Sequence, residues 1–219
     1  MDLIIYENII DICAICMLVI TVMAVMSTYM RKLIQLFAIH SLFLAVLAFV
    51  VAFYTDNSHI YITFTLTLVL KVLLIPRFLD YTVERIHVDK EVRSPISTPG
   101  SLLICTVLIF AGYLVADPMT ESLTTLGRNC LAISLSIVFI GLYMMASRAN
   151  ALSESIGLLL TENGLFLGTM TISYGMPLIV EFGVFFDIII AVVIIGIFAY
   201  RINRTFNSID TSYMRRLRD

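Results

Sequence analysis

The stretch "TLTLVLKVLLIPRFL", residues 65–79, contains one lysine in the middle of a mostly apolar run. A bilayer has a hydrocarbon core of about 30 Å, which takes about 20 residues of α-helix to cross. If this run crosses a bilayer, the ammonium group of Lys71 lies well inside it, at a cost of roughly 2.5–3.5 kcal/mol. A cost of this size indicates that Lys71 has a buried partner, a function, or both.

The composition of the whole chain points to the membrane. Of its 219 residues, 60% are hydrophobic and 14% are charged, and the mean hydropathy is +0.99. Soluble domains have about 45–50% apolar and about 25% charged residues. The net charge of −2 gives no indication of a nucleic-acid partner. We therefore predict an integral membrane protein.

The apolar runs predict the fold class: all-α, a polytopic membrane protein with seven transmembrane helices. The predicted spans lie near residues 8–28, 33–54, 59–79, 100–116, 129–147, 152–173 and 179–200. Short connections between most of them predict that sequential helices pack as antiparallel neighbours. Residues 80–99 form the only sizeable polar loop, and Pro95 and Pro99 prevent a helix from continuing through it into the fourth span.

The basic residues predict the orientation of the spans. With the N-terminus outside and the C-terminus cytoplasmic, twelve of the fourteen Lys and Arg residues lie on the cytoplasmic side. This is the distribution that the positive-inside rule requires. The two exceptions are Arg128, at the outer edge of the fifth span, and Lys71, inside the membrane.

The four cysteines do not form a recognisable metal or redox motif. Cys13 and Cys16 form a CxxC pair, but both lie on one helix face inside the first apolar run. A redox or zinc pair needs a turn and polar neighbours, or a second pair elsewhere. Cys105 and Cys130 are isolated. We expect packing roles for the cysteines, and neither a metal nor a cofactor in this chain.

The deep polar residues are candidates for a proton relay. At 1.5 Å per residue, Lys71 lies roughly 18 Å from the outer end of the third span. Glu162, Asp187 and His40 reach similar depths on three other spans. Burial and mutual charge can bring the proton affinities of such groups into a working range. A purely structural role is the alternative, in which Lys71 pairs with Asp187 or Glu162 to fix the helix packing.

The sixth span also carries three glycines, Gly157, Gly164 and Gly168, at spacings of seven and four residues. The last two form a GxxxG motif, which permits the close approach of a neighbouring helix. We therefore expect the segment around Glu162 to pack closely against another helix.

Three motifs carry a resemblance to a known family: "KVLLIP" at 71–76, "ENG" at 162–164 and "FFDIIIAVV" at 185–193. With these motifs in this order, nearly the whole chain resembles the E component of hydrogenase-4. Hydrogenase-4 belongs to the formate-hydrogenlyase type of membrane-bound nickel–iron hydrogenase. That family carries a lysine, an apolar pair and a proline in its third helix.

The C-terminal part is also similar to the K subunit of respiratory complex I, through residues 147–167 and 181–210. Glu162 is displaced by three positions from the first glutamate of that family, and Asp187 stands near its second glutamate. A repeat of this three-helix unit would divide the chain into three parts. Residues 1–79 would form helices one to three, and residues 80–128 the cytoplasmic loop, the connecting fourth helix and an outer loop. Residues 129–219 would form helices five to seven and a basic tail.

The resemblance implies a non-catalytic subunit of a complex I-related hydrogenase complex in the inner membrane of a prokaryote. Nickel–iron and iron–sulfur centres would lie on peripheral hydrogenase subunits, and this chain would contact antiporter-like and other membrane subunits. It would help to couple electron transfer to proton or sodium translocation. Lys71 and Asp187 would form the coupled pair, Glu162 the relay carboxylate and His40 a bridge toward the inner side. Two alternatives remain open: a subunit of a multi-subunit cation/proton antiporter, and a structural scaffold.

Overall fold

The computed structural model describes residues 2–55, 58–86, 96–119, 125–148 and 151–173. These residues are almost entirely helical, and none of them belongs to a β-strand. The predicted all-α class is thus confirmed for the described part of the chain. The helices are α1 (Asp2–Met26), α2 (Met30–Thr55), α3 (Ser58–Leu66), a π-helix (Thr67–Leu74), α4 (Ile75–Ile86), α5 (Thr98–Ala116), a short 3₁₀ turn (Asp117–Met119), α6 (Thr125–Ser147) and α7 (Ala151–Ser173).

Five helical segments within the described ranges are long and apolar enough to cross a bilayer: Tyr6–Met26, Met30–Tyr54, Ile60–Glu84, Thr98–Ala116 and Gly127–Ser147. They correspond to the first five predicted spans. The helix at the sixth, α7, is about 35 Å long at 1.5 Å per residue, but polar residues lower its hydropathy. The seventh predicted span lies outside the described residues. The total of seven spans and the orientation of the termini therefore stay predictions.

The third span runs through α3, the π-helix and α4, and it is longer than predicted. The sequence predicts a polar loop from residue 80, whereas α4 continues to Ile86. Leu79 and Val83 are buried in the bundle, and Arg31 Nη2 donates a hydrogen bond of 2.8 Å to Glu84 Oε1. These contacts stabilise the amphipathic C-terminal end of α4. The predicted start of the loop is therefore wrong by about two helical turns.

Two large apolar clusters fill the bundle, one toward each end. The cluster near Arg31 and Arg148 includes Phe37 on α2, Ile75 on α4 and Leu160 on α7. The cluster at the opposite end includes Leu44 on α2, Ile60 on α3 and Phe166 on α7. Three segments, α2, α7 and the continuous run of α3, π-helix and α4, therefore pass from one cluster to the other through a layer that neither cluster occupies.

Small residues bring α6 and α7 close together. A Cβ atom on Gly164 would lie 2.9 Å from Cγ2 of Ile137, and one on Gly157 would lie 3.0 Å from Cγ of Met145. The hydroxyl of Ser134 donates a hydrogen bond of 2.8 Å to the carbonyl oxygen of Gly164. The close approach predicted from the glycines is confirmed, and α6 is the helix that they contact.

Candidate functional site

Lys71 lies in the middle of the π-helix Thr67–Leu74, in the layer between the two apolar clusters. Only 1% of its surface is exposed. The backbone N–H of Ile75 donates to the carbonyl oxygen of Leu70, five residues earlier, as the wider π-helical turn requires. Segments of π-helix are rare and occur frequently at functional sites. The backbone of the third span is thus irregular at the position of its buried charge.

Pro76 explains why the helix widens here. Proline has no N–H, and in an α-helix its ring clashes with the carbonyl group four residues earlier, which here belongs to Val72. A π-helical turn before the proline increases the space around that carbonyl group. The sequence signal for the irregularity is therefore the "KVLLIP" motif itself, in which the lysine and the proline are five residues apart.

Two side chains of α7 bind the Lys71 ammonium group. Its Nζ donates hydrogen bonds of 3.0 Å to Glu162 Oε1 and 2.9 Å to Asn163 Oδ1. The first is also an ion pair between two buried side chains. The ring of Phe166 adds a cation–π contact, with Nζ 5.7 Å from the ring centroid. Lys71 is therefore held by a charge, an amide and an aromatic ring.

Asn163 extends these contacts to α2. Its Nδ2 lies 3.1 Å from His40 Nδ1 and donates a hydrogen bond of 3.0 Å to Ser41 Oγ. His40, Ser41 and Asn163 are all fully buried. We call the set Lys71, Glu162, Asn163, His40 and Ser41 the central polar cluster. It joins three helices between the two apolar clusters.

The structure brings together three of the four residues proposed from the sequence. Lys71 and Glu162 are in direct contact, and His40 reaches Lys71 through Asn163. Of the two partners considered for Lys71, Glu162 is the one observed, while Asp187 lies outside the described residues. The structure therefore adds two residues to the predicted set, Asn163 and Ser41.

Both added residues directly follow a predicted one in the sequence. Consecutive helical residues point about 100° apart. A pair such as Glu162–Asn163 or His40–Ser41 can therefore face two neighbouring helices at once. Two adjacent polar residues at the centre of an apolar span were the signal that could have identified them.

The described residues contain no group of three or more His, Cys, Asp and Glu side chains that could hold a metal ion. Cys13, Cys16, Cys105 and Cys130 are all free, and three of them are buried. Three side chains of the central polar cluster, Lys71, Glu162 and His40, are of types that can gain or lose a proton.

The chain is similar to known proteins over about two thirds of its length. It is 30% identical to the uncharacterized protein Rv0085 of Mycobacterium tuberculosis over 153 residues, which are 69% of this chain and 70% of that protein. It is 26% identical to hydrogenase-4 component E of Escherichia coli K12 over 148 residues, which are 68% of each chain. The component E of Shigella flexneri gives the same values. No protein-family profile and no solved structure matches the chain.

Proposed function

Since this chain belongs to one family with Rv0085 and is a homologue of hydrogenase-4 component E, we propose that it is a membrane subunit of a hydrogenase complex. In this proposal the chain has no redox centre of its own. Its central polar cluster contributes to the movement of protons, or of sodium, across the inner membrane of a prokaryote. The buried ion pair between Lys71 and Glu162 is the observation that carries the proposal.

The ion pair can exchange a proton with balanced chemistry. When the proton moves from Lys71 Nζ to Glu162 Oε1, an N–H bond breaks and an O–H bond forms, which leaves a neutral amine beside a neutral carboxylic acid. Glu162 can then release this proton to one side, and Lys71 can take up another from the other side. Burial favours the neutral pair, whereas the attraction of opposite charges favours the ionised pair. These opposing effects make the charge state of the pair sensitive to its surroundings.

Coupling to electron transfer would come from charges on neighbouring subunits. A charge that approaches a weakly screened site changes its proton affinity more strongly than it would in water. In the proposed complex the neighbours are antiporter-like and other membrane subunits, and peripheral hydrogenase subunits hold the nickel–iron and iron–sulfur centres. We also propose that the C-terminal part of the chain is related to the K subunit of respiratory complex I.

Polar residues near Lys71 support a path toward the N-terminal end of its helix. Thr63 and Thr67 precede Lys71 at intervals of four residues, and both are buried. Their hydroxyl groups can donate and accept hydrogen bonds, as a proton path requires. The other end of the path would include His40 on α2. Asp187, the proposed second partner of Lys71, would join the cluster from the predicted seventh span.

The variant Lys71→Met tests the proposal in the complete complex. Methionine keeps most of the volume of the side chain but carries no exchangeable proton. We expect the complex to assemble with its peripheral subunits and to lose ion uptake in sealed membrane vesicles, measured per hydrogen molecule turned over. Lys32→Met is the matched control, because Lys32 is exposed at the start of α2. A protonophore distinguishes proton uptake from sodium uptake.

Two outcomes would contradict the proposal. If the Lys71→Met complex pumps ions like the wild type, the central polar cluster lies on no ion path. If the complex fails to assemble both with Lys71→Met and with the charge-free double variant Lys71→Met/Glu162→Gln, while Lys32→Met assembles normally, the chain is a structural scaffold.

A further inference from the structure

Asn163 contacts both basic side chains of the central polar cluster through opposite ends of one amide group. We propose that Asn163 is a positioning residue that couples the charge of Lys71 to the protonation of His40, so that the ammonium of Lys71 and an N–H group at His40 Nδ1 exclude each other. This inference goes beyond the proposed function. Only the consequence of the coupling for ion movement rests on that function.

The charge of Lys71 fixes the orientation of the amide. An ammonium group has three N–H donors and no acceptor. The atom of Asn163 that faces Nζ at 2.9 Å must therefore be the oxygen Oδ1. As a result, the amide nitrogen Nδ2 faces α2, where it lies 3.0 Å from Ser41 Oγ and 3.1 Å from His40 Nδ1.

The orientation of the amide in turn fixes the tautomer of His40. Nδ2 has two N–H donors and no acceptor, so His40 Nδ1 must accept a hydrogen bond and cannot itself carry a proton. The neutral ring therefore has its proton on Nε2. Among the described residues Nε2 is buried and has no hydrogen-bond partner, so this end of the ring can bind a water molecule or another acceptor.

The opposite state requires the amide to rotate by about half a turn, which exchanges Oδ1 and Nδ2. Oδ1 could then accept from an N–H group at His40 Nδ1, while Nδ2 would donate to Lys71. Only a neutral amine has the lone pair to accept that bond. Ser41 satisfies both states, because a hydroxyl group can donate or accept. Each orientation of the amide thus permits protonation on one side only.

The tautomer of His40 can be measured by nitrogen-15 NMR of the full chain in lipid bilayers, with labelled histidine. The chain has three histidines, and the changes His59→Gln and His87→Gln leave His40 as the only labelled residue. We expect an unprotonated Nδ1 and a protonated Nε2 in this background. With Asn163→Asp added, the carboxylate can only accept, and we expect a protonated Nδ1.

Ser41→Ala and Lys71→Met complete the experiment. Ser41→Ala removes the other acceptor of the same amide but leaves Lys71 in place, so we expect Nδ1 to stay unprotonated. Lys71→Met removes the group that orients the amide, so we expect signals of both tautomers, and this variant keeps the test decisive if Asn163→Asp does not fold. A protonated Nδ1 in the parent chain would overturn the inference, and so would an unprotonated Nδ1 in every one of the variants Asn163→Asp and Lys71→Met that folds.

The NMR measurement and the pumping assay separate this inference from the proposed function. If the tautomers change as expected but Lys71→Met pumps normally, Asn163 positions the two side chains while ion movement occurs elsewhere. If Lys71→Met loses pumping but the tautomers do not change, the ion path stands and Asn163 is only a packing residue.

Discussion

At the scale of single residues, the main question is how the bundle tolerates an ammonium group in its interior. Lys71 and Glu162 are both buried, and Asn163 and Phe166 supply the remaining contacts described for the amine. A buried ion pair is weak evidence for stability, because removing both charges from water costs about as much as their attraction returns. Removing one partner alone is much more costly. The presence of the pair therefore does not by itself show that it stabilises the bundle, and a double-mutant cycle measures how strongly the two side chains are coupled.

We predict that Glu162→Gln destabilises the chain more than the double variant Lys71→Met/Glu162→Gln does. The single change removes the carboxylate that pairs with the buried ammonium group and should lower the free energy of unfolding by about 3–5 kcal/mol. The double change removes both charges and should restore a large part of this loss. Unfolding in detergent, followed by circular dichroism, measures each value.

The exposed pair between Arg31 and Glu84 provides the matched control for this cycle. Exposed ion pairs contribute about 0–1 kcal/mol, so Glu84→Gln should change stability little. If the effects of Lys71→Met and Glu162→Gln are simply additive, the two side chains are not energetically coupled and the contact is incidental.

At the scale of helices, the π-helix Thr67–Leu74 determines the direction in which Lys71 points. A π-helical turn contains one residue more than the α-helical turn that it replaces. The flanking helices α3 and α4 therefore keep their own packed faces, while the residues between them are rotated relative to a regular helix. The position of Lys71 toward α7 depends on this extra residue.

Deleting Val69 should convert the π-helical segment into regular α-helix. Val69 is partly exposed and makes no contribution to either apolar cluster, so its loss removes one residue and little buried surface. We expect the helical content from circular dichroism to stay the same and ion uptake by the complex to be lost, because Lys71 turns away from Glu162. The substitution Val69→Ala is the control, since it changes the same side chain without changing the register. Normal uptake after the deletion would show that the π-helix has no role in positioning Lys71.

The helices also show which features can be predicted from a sequence. Hydropathy located the first five spans, because a bilayer requires about 20 apolar residues in each. It did not locate the end of α4, since residues 80–86 are polar on one face and are held by Leu79, Val83 and the ion pair of Glu84. It also did not reveal the π-helix, because apolar composition does not depend on the hydrogen-bonding pattern of the backbone.

The candidate site was also predicted only in part, because the cost of burial differs between residue types. Buried charges such as Lys71 and Glu162 stand out in an apolar span because each carries a large cost. Asn163 and Ser41 cost less to bury and are common in helix packing, so their residue type alone gives little indication of a function. Their role depends on which helices meet, and that is a property of the tertiary structure.

At the scale of the whole molecule, the central polar cluster is enclosed because an apolar cluster closes the bundle on each side. Contacts between distant parts of the chain hold these two ends in place. Two arginines at one end of the bundle, Arg31 and Arg148, make different contacts. Arg31 forms the exposed pair with Glu84, whereas the Arg148 guanidinium donates to the carbonyl oxygens of Val25 and Ser27.

Arg148 is therefore expected to stabilise the whole bundle. The last carbonyl groups of a helix have no partner within it and carry the negative end of its dipole. Arg148 directly follows α6 and binds one such group, that of Val25 in the last turn of α1, and the carbonyl group of Ser27 just after that helix, so it links the end of α6 to the end of α1. Burial lowers the pKa of its guanidinium, but arginine stays protonated at neutral pH. The hydrogen bonds are thus charge-assisted over the whole physiological range.

We predict that Arg148→Gln lowers the free energy of unfolding by about 1.5–3 kcal/mol, the value typical of hydrogen bonds to a charged group. Thermal unfolding of the full chain in detergent measures this loss. Arg128→Gln is the matched control, because Arg128 also forms a polar contact, with Asp117, but both side chains of this pair are exposed. The loss of this contact should cost about 1 kcal/mol or less. Arg148→Lys keeps the charge but not the planar set of donors, so its stability should lie between those of the wild type and Arg148→Gln. If Arg148→Gln is no less stable than Arg128→Gln, the hydrogen bonds of Arg148 to Val25 and Ser27 make no measurable contribution to the stability of the bundle.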